Sequence, residues 1–123
     1  MKIENIKFKA KKTLDGKWIK GDLVHHKDSD NVWITDYENQ LTSPVDPSTV
    51  CMFTGLKDYD GNEVWEGDIM KSPYLEELAI VKWDDSLCGF KCVGVISNIC
   101  YSLSSLVAFS RWYVVGNKFD KEK

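Results

Sequence analysis

Two carboxylates flanking a glycine, Glu66-Gly67-Asp68, form the most suggestive polar constellation in the chain. On an extended strand, residues two apart face the same way, and two carboxylates on one face can hold a cation or divide acid and base roles. No histidine or third carboxylate stands at a spacing that would complete such a site. Bulge or turn geometry accounts for the same residues more simply. Gly67 permits a bulge or sharp bend, and the acids beside it accept hydrogen bonds from turn amides. The structural role is the expected one, with no catalytic residue and no metal ligand. On this reading Asp68→Asn keeps part of the hydrogen bonding and costs little, whereas Asp68→Ala strands buried donors.

Other candidate chemistry is weaker. Thr54-Gly55-Leu56-Lys57-Asp58 carries one glycine and lacks the Gly-Lys-Ser/Thr ending of a phosphate loop. The serines at 97, 102, 104 and 105 have no Gly-x-Ser-x-Gly elbow, and His25 and His26, adjacent on a strand, would face opposite ways. The cysteines at 51, 88, 92 and 100 form no Cys-x-x-Cys pair. Cys88 and Cys92 on one strand would lie about 13 Å apart, too far for a disulfide or a shared zinc. All four are expected to be small buried hydrophobes in a reducing compartment, and no cofactor is expected. Lys7, Lys9 and Lys11 alternate along one strand face, with Trp18 and Lys20 nearby. That face could be a weak site for nucleic acid or an acidic partner. A lysine row guarding an edge strand explains it more simply.

The elements that position these residues are short. The chain has 123 residues, 43% of them hydrophobic and 12% aromatic, which suits one globular domain and excludes disorder. No apolar run approaches the roughly 18 residues that span a bilayer, and the first residues have no apolar signal-peptide core. A soluble cytoplasmic protein without membrane contact is expected. The net charge of −3 is unevenly spread. Residues 1–27 hold eight lysines against three acids, and residues 28–85 hold fourteen acids against three lysines. The pI near 5.3 and the single arginine, Arg111, argue against a sequence-specific DNA reader.

Period-two alternation recurs throughout, and no helical stripe persists for three turns. Strands are expected at 6–10, 18–26 and 32–37, the first two joined by a tight Asp15-Gly16 turn. Glu38 to Pro47 breaks the pattern. Further strands are expected at 50–54, at 63–70 with Gly67 inside, at 78–84 paired with 88–96, and at 112–115. Ser97 to Ser105 reads as irregular or a short helical turn. The five tryptophans, one per strand, are expected in the core.

Longer motifs then carry a resemblance. Val45-Asp46-Pro47-Ser48-Thr49-Val50, Thr54-Gly55-Leu56-Lys57-Asp58 and Gly61-Asn62-Glu63-Val64-Trp65-Glu66-Gly67-Asp68-Ile69 resemble the YopX family signature. The opening Lys7-Phe8-Lys9-Ala10, the stretch Gly16-Lys17-Trp18-Ile19-Lys20-Gly21 and the closing Val114-Val115-Gly116-Asn117 are similar to its first and last motifs, so the likeness spans residues 2–119. Lys9 stands where the family usually has Arg, Lys11 where an aromatic is common, and Cys51-Met52 replaces Gly-Gln. The resemblance implies a mostly β fold and a phage or prophage origin, and it brings no established activity.

The fold expected is mainly β. Residues 1–44 form a meander, and residues 45–119 a strongly bent sheet or small SH3-like barrel, together one domain. A continuous sheet with a short helix near Ser97–Ser105 is the alternative. Trp18, Asp46, Thr54, Gly55, Leu56, Asp58, Gly61, Glu66, Gly67, Asp68, Gly116 and Asn117 are expected to be structural motif residues. The function expected is a non-enzymatic binding module acting on a host or phage protein. Weak nucleic-acid binding through the lysine face is the first alternative, and a metal-dependent hydrolase the remote one.

Overall fold

The structure is a computed structural model, and it describes residues 2–103 and 111–120. Among the described residues the chain is mainly β. Its strands are β1 (Phe8–Lys11), β2 (Trp18–His25), β3 (Val32–Asp36), β4 (Thr42–Val45), β5 (Cys51–Lys57), β6 (Glu63–Trp65), β7 (Asp68–Lys71), β8 (Ala79–Asp84), β9 (Gly89–Gly94), β10 (Cys100–Ser102) and β11 (Tyr113–Asn117). One sheet runs β4-β3-β2-β1-β5-β6 and the other β10-β9-β8-β7-β11. Both are open among the described residues, so the bent-sheet form of the expectation holds and the closed barrel does not. By internal packing the chain divides into two compact units, residues 1–53 and 54–123.

In the first unit the alternation of the sequence becomes one buried face. Ala10 pairs with Ile19, Leu23 with Ile34, and Val32 with Val45, so the apolar partners stack on the same side. Ala10, Ile19, Ile34 and Val45 form the core, with Phe8, Leu23, Val32 and Val50 packed on it. Burying a side chain the size of Ile34 stabilises by about 1.5–3 kcal/mol.

The stretch 38–47, read from sequence as a break, contains β4. Pro44 sits in that strand opposite Trp33, and its carbonyl accepts from Thr13 N at 3.1 Å. A proline misleads sequence reading here because it removes only the donor side of the ladder. β4 then curls back to the end of β1. Val45 bridges Lys12, and Asp46 N donates to Lys11 O at 2.8 Å. The expected three-stranded meander is therefore a four-stranded one whose last strand returns to its first. The β1–β2 loop also differs from a two-residue turn. Only Gly16 is left-handed, at φ 72, and Asp15 Oδ1 accepts from Lys17 N at 2.9 Å.

In the second unit Val64, Met70, Ala79, Val81, Cys92, Leu103 and Trp112 form the core. Met70 faces Ala79 across one ladder and Val81 faces Cys92 across the next. Gly67 does not sit in a bulge inside one strand. With Glu66 it makes a sharp turn at φ 84 that separates β6 from β7, so the chain passes from one sheet to the other. The bulge in this region falls in β11 instead, where the register slips between Val114 and Gly116.

Of the region from Ser97, residues 97–99 are turn and irregular as expected, Cys100–Ser102 form the unexpected strand β10, and Leu103 has helical backbone. Positions 104 and 105 of the suggested helical turn, and the tail 121–123, lie outside the described residues. Cys51 and Cys92 are buried, and burial pushes the Cys92 thiol up to about 12. Cys88 and Cys100 are exposed, against expectation. Cys88 is in the β8–β9 turn at φ 49 and not on a strand. Trp65 and Trp112 are core residues, whereas Trp83 is exposed and donates its indole N–H to Asp85 at 2.6 Å.

Gly21 is the tightest backbone approach in the first unit. A Cβ there would run into the carbonyl of Thr35 on β3. Gly21→Ala must push β2 and β3 apart and should cost about 1–3 kcal/mol, read as a lower urea midpoint. An unchanged midpoint would contradict this close approach.

Candidate functional site

The two carboxylates that could do chemistry end up in different roles. Asp68 is 2% exposed, and both its oxygens accept hydrogen bonds. Oδ2 takes the Trp65 N–H at 2.8 Å, and Oδ1 takes the Asn117 side-chain amide at 2.9 Å. The same amide reaches the Glu66 carbonyl at 3.2 Å, while Asn117 Oδ1 accepts from Phe119 N at 3.0 Å. Around this pair, Gly67 N donates to Val81 O at 2.8 Å, and Lys118 N donates to Gly67 O at 2.9 Å. A Cβ on Gly67 would sit 3.3 Å from Asn117 Nδ2, at a φ that side chains rarely adopt. The Glu66-Gly67-Asp68 and Gly116-Asn117 motifs, about fifty residues apart, are thus one interlocked cluster. Glu66 contributes its backbone carbonyl to this cluster.

The other motif residues bond to local backbone in the same manner. Thr54 Oγ1 donates to Val64 O at 2.7 Å, and Gly55 is left-handed at φ 84 within β5. Asp58 gathers four donors: Asp60 N, Asn62 N, the Asn62 amide and Val114 N. Gly61, left-handed at φ 87, closes that turn by donating to Asp58 O at 3.1 Å. Asp46 caps the 3-10 turn Pro47–Thr49, accepting from Ser48 N at 3.0 Å, and Thr49 Oγ1 in turn accepts from Lys11 N at 2.9 Å. Leu56 packs against the second core. Among the described residues, no group of three or more His, Cys, Asp or Glu is placed to hold a metal ion.

The lysine face assembles as the alternation implies. Lys9 pairs with Lys20 and Lys11 with Trp18. The ammonium groups of Lys9 and Lys11 lie 4.6 and 4.7 Å from the centre of the Trp18 ring, and that of Lys7 lies 4.6 Å from the Phe53 ring. A hollow of about 370 Å³ beside Trp18 is lined by Lys7, Lys20 and Tyr37, and also by Asp36 and Glu38. Burial, and then the hydrogen bond to Asp22, push the Tyr37 hydroxyl above its ordinary pKa. The face therefore mixes both signs of charge, and lysines already lie against its indole.

One feature escapes sequence reading. Glu77 Oε1 accepts from Ile96 N and Ser97 N, each at 3.0 Å, and Oε2 accepts from Ser97 Oγ at 2.6 Å. These bonds, the Ser97 hydroxyl first, hold the Glu77 carboxyl below its ordinary pKa. Gly94 lies so close that a Cβ would collide with the Glu77 carboxylate. The clamp pins the β9–β10 turn, from which Val95, Ile96 and Ile99 project into solvent beside Leu78, and Ile96 is 80% exposed. The only sequence signal is an apolar Val-x-x-x-Ile turn where turns are ordinarily polar.

Two expectations follow from the carboxylates. Because both Asp68 oxygens accept, Asp68→Asn places an amide N–H against another donor and is not mild. It should cost about 1–3 kcal/mol, and Asp68→Ala, which strands two donors, should cost more. Equal urea midpoints for Asp68→Asn and wild type would contradict that geometry. For Asp58, burial alone would raise the pKa, but the N–H donors from Val114, Asn62 and Asp60 outweigh it and hold the group below 3.8. Its stabilisation is present above the ordinary carboxylate range and disappears as pH falls through the lowered folded value. Asp58→Asn should therefore flatten the acid limb of a stability-versus-pH curve below about pH 4. An unaltered acid limb would count against this.

No curated protein matches the chain significantly. A family model described as YopX protein matches residues 7–122, nearly the whole chain. The match takes in each cluster described above, from the Lys7 face to the Asp68–Asn117 pair, and the chain belongs to the YopX family.

Proposed function

We propose that this chain is a non-enzymatic binding module, encoded by a phage or prophage, that acts by contact with a partner protein in the cytoplasm of the bacterial host. The observation that carries this reading is the pinned apolar turn. Exposed Ile96, Val95 and Ile99 stand on a turn whose amides are fixed by a single carboxylate. Apolar side chains presented on rigid backbone lose little entropy when they dock, which is how compact protein contacts gain affinity.

Two further features favour contact over catalysis. The carboxylates of Asp46, Asp58, Asp68 and Glu77 each accept hydrogen bonds from backbone amides, the usual role of acids that hold turns. The lysine face favours nucleic acid less than its sequence suggests, because Lys9 and Lys11 already lie against the Trp18 ring on which a base would stack.

The test is affinity capture from host cells with wild type and Ile96→Asp, each with and without nuclease. Ile96→Asp changes an exposed residue and should leave the melting temperature within error of wild type. A protein retained after nuclease by wild type, and lost with Ile96→Asp, is the expected result. Retention that vanishes with nuclease, or that is equal for both proteins, would reject the reading.

A further inference from the structure

An antiparallel sheet with one face on a core ordinarily turns polar residues outward, and the sheet of the second unit departs from that pattern. Met70, Ala79, Val81 and Cys92 are its inward residues, each at most 1% exposed. Their strand neighbours point to the other side. There Ile69, Ile80 and Val93 stand in one row across β7, β8 and β9, with Cys100 of β10 beside Val93. The three aliphatic side chains are half-buried. Leu78 and Val95, two residues on from Ile80 and Val93, are joined by Val95 N donating to Leu78 O at 2.9 Å. They are 36% and 47% exposed and carry the apolar surface towards the Ile96 turn.

The charges on this face are mainly of one sign. Lys71 lies two residues from Ile69, Lys82 two from Ile80 and Lys91 two from Val93, so all three share the face. Lys71 and Lys82 are exposed, and neither is ion-paired among the described residues. Asp84, the acid that β8 adds, pairs with Lys91 at 2.8 Å and accepts from Ser86. At the far margin Asp120, beside Gly116, accepts from Asn117 N.

We propose that this face takes an amphipathic helix of a partner protein, with its apolar stripe on Ile69, Ile80 and Val93 and its acidic flanks on Lys71 and Lys82. An apolar sheet face is closed in globular proteins by helices or by another sheet. A second copy of this sheet would bring together two faces of the same sign. Acidic flanks instead meet opposite charge, which steers the approach and selects the partner. Nucleic acid would find the cations, but the row is aliphatic and gives bases no ring to stack on. The ring beside Lys71, that of Tyr113, packs edge-on with Tyr59 at 5.7 Å. The inference rests on the chain being a binding module, and it gives the contact at the Ile96 turn its partner chemistry.

The probe is a capped peptide of about fourteen residues, with leucines at helical spacing and glutamates between them. Its counterparts are the same peptide with lysine for glutamate and an oligothymidine of about ten nucleotides. Binding to the full chain is followed by amide NMR shifts. The glutamate peptide should shift Ile69, Lys71, Ile80, Lys82 and Val93, and the two counterparts should not. Lys71→Glu combined with Lys82→Glu, both at exposed positions, should weaken the glutamate peptide about three- to tenfold with the melting temperature within error of wild type. Lys27→Glu, exposed in the first unit, should bind as wild type does. Peptide binding is read on the purified chain, so its failure is separable from a failed capture through Ile96. No shifts with the glutamate peptide, equal shifts with either counterpart, or an affinity unchanged by the double reversal would each overturn the proposal.

Discussion

A carboxylate that is 2% exposed must have its lone pairs answered from within the protein, and around Asp68 that requirement organises the second unit. One oxygen holds the Trp65 amide and so fixes how β6 ends. The other holds Asn117 and so fixes how β11 lies along β7. The turn between β6 and β7 can be this sharp because Gly67 is left-handed and leaves room for the Asn117 amide. Loss of either partner would leave a buried charge or a buried amide unsatisfied, so the two motifs act as one unit.

The same logic runs through the acidic middle of the chain. Asp46, Asp58 and Glu77 each gather backbone amides at a turn, and Asp84 both caps its own turn through Ser86 and pairs with Lys91 at 2.8 Å. A concentration of carboxylates that looks from composition like a solvated or cation-seeking surface is in good part a set of turn clamps. Short strands need such clamps, because a strand of three or four residues makes too few ladder bonds to hold its own ends.

Clamped turns also make rigid surfaces. The Ile96 turn is such a surface, apolar and exposed. It is pinned by bonds from its amides to the Glu77 carboxylate, which leave its apolar side chains uninvolved. The lysine face is different, since its cations already rest on the aromatic rings that a ligand would need.

The sequence by itself determined most of the strand content, because alternation of apolar residues with period two survives into the β1–β2 and β2–β3 ladders. It also marked the turn glycines at 16 and 67, both left-handed, whose turn chemistry is local. It misread β4, because Pro44 argues locally against a strand while the ladder there needs only its carbonyl. It marked Gly67 as a bulge or sharp bend but ran one strand through it, because where a strand stops depends on which sheet each half joins. It could not see that Gly21 must be a glycine, since the obstructing atom is the Thr35 carbonyl on a neighbouring strand. Nor could it place Asp68 with Asn117 or Glu77 with Ser97. Those pairs lie 49 and 20 residues apart in the chain. Local propensity sets the type of each element, but contacts of that separation exist only once the strands have paired, and only the tertiary structure supplies the pairing.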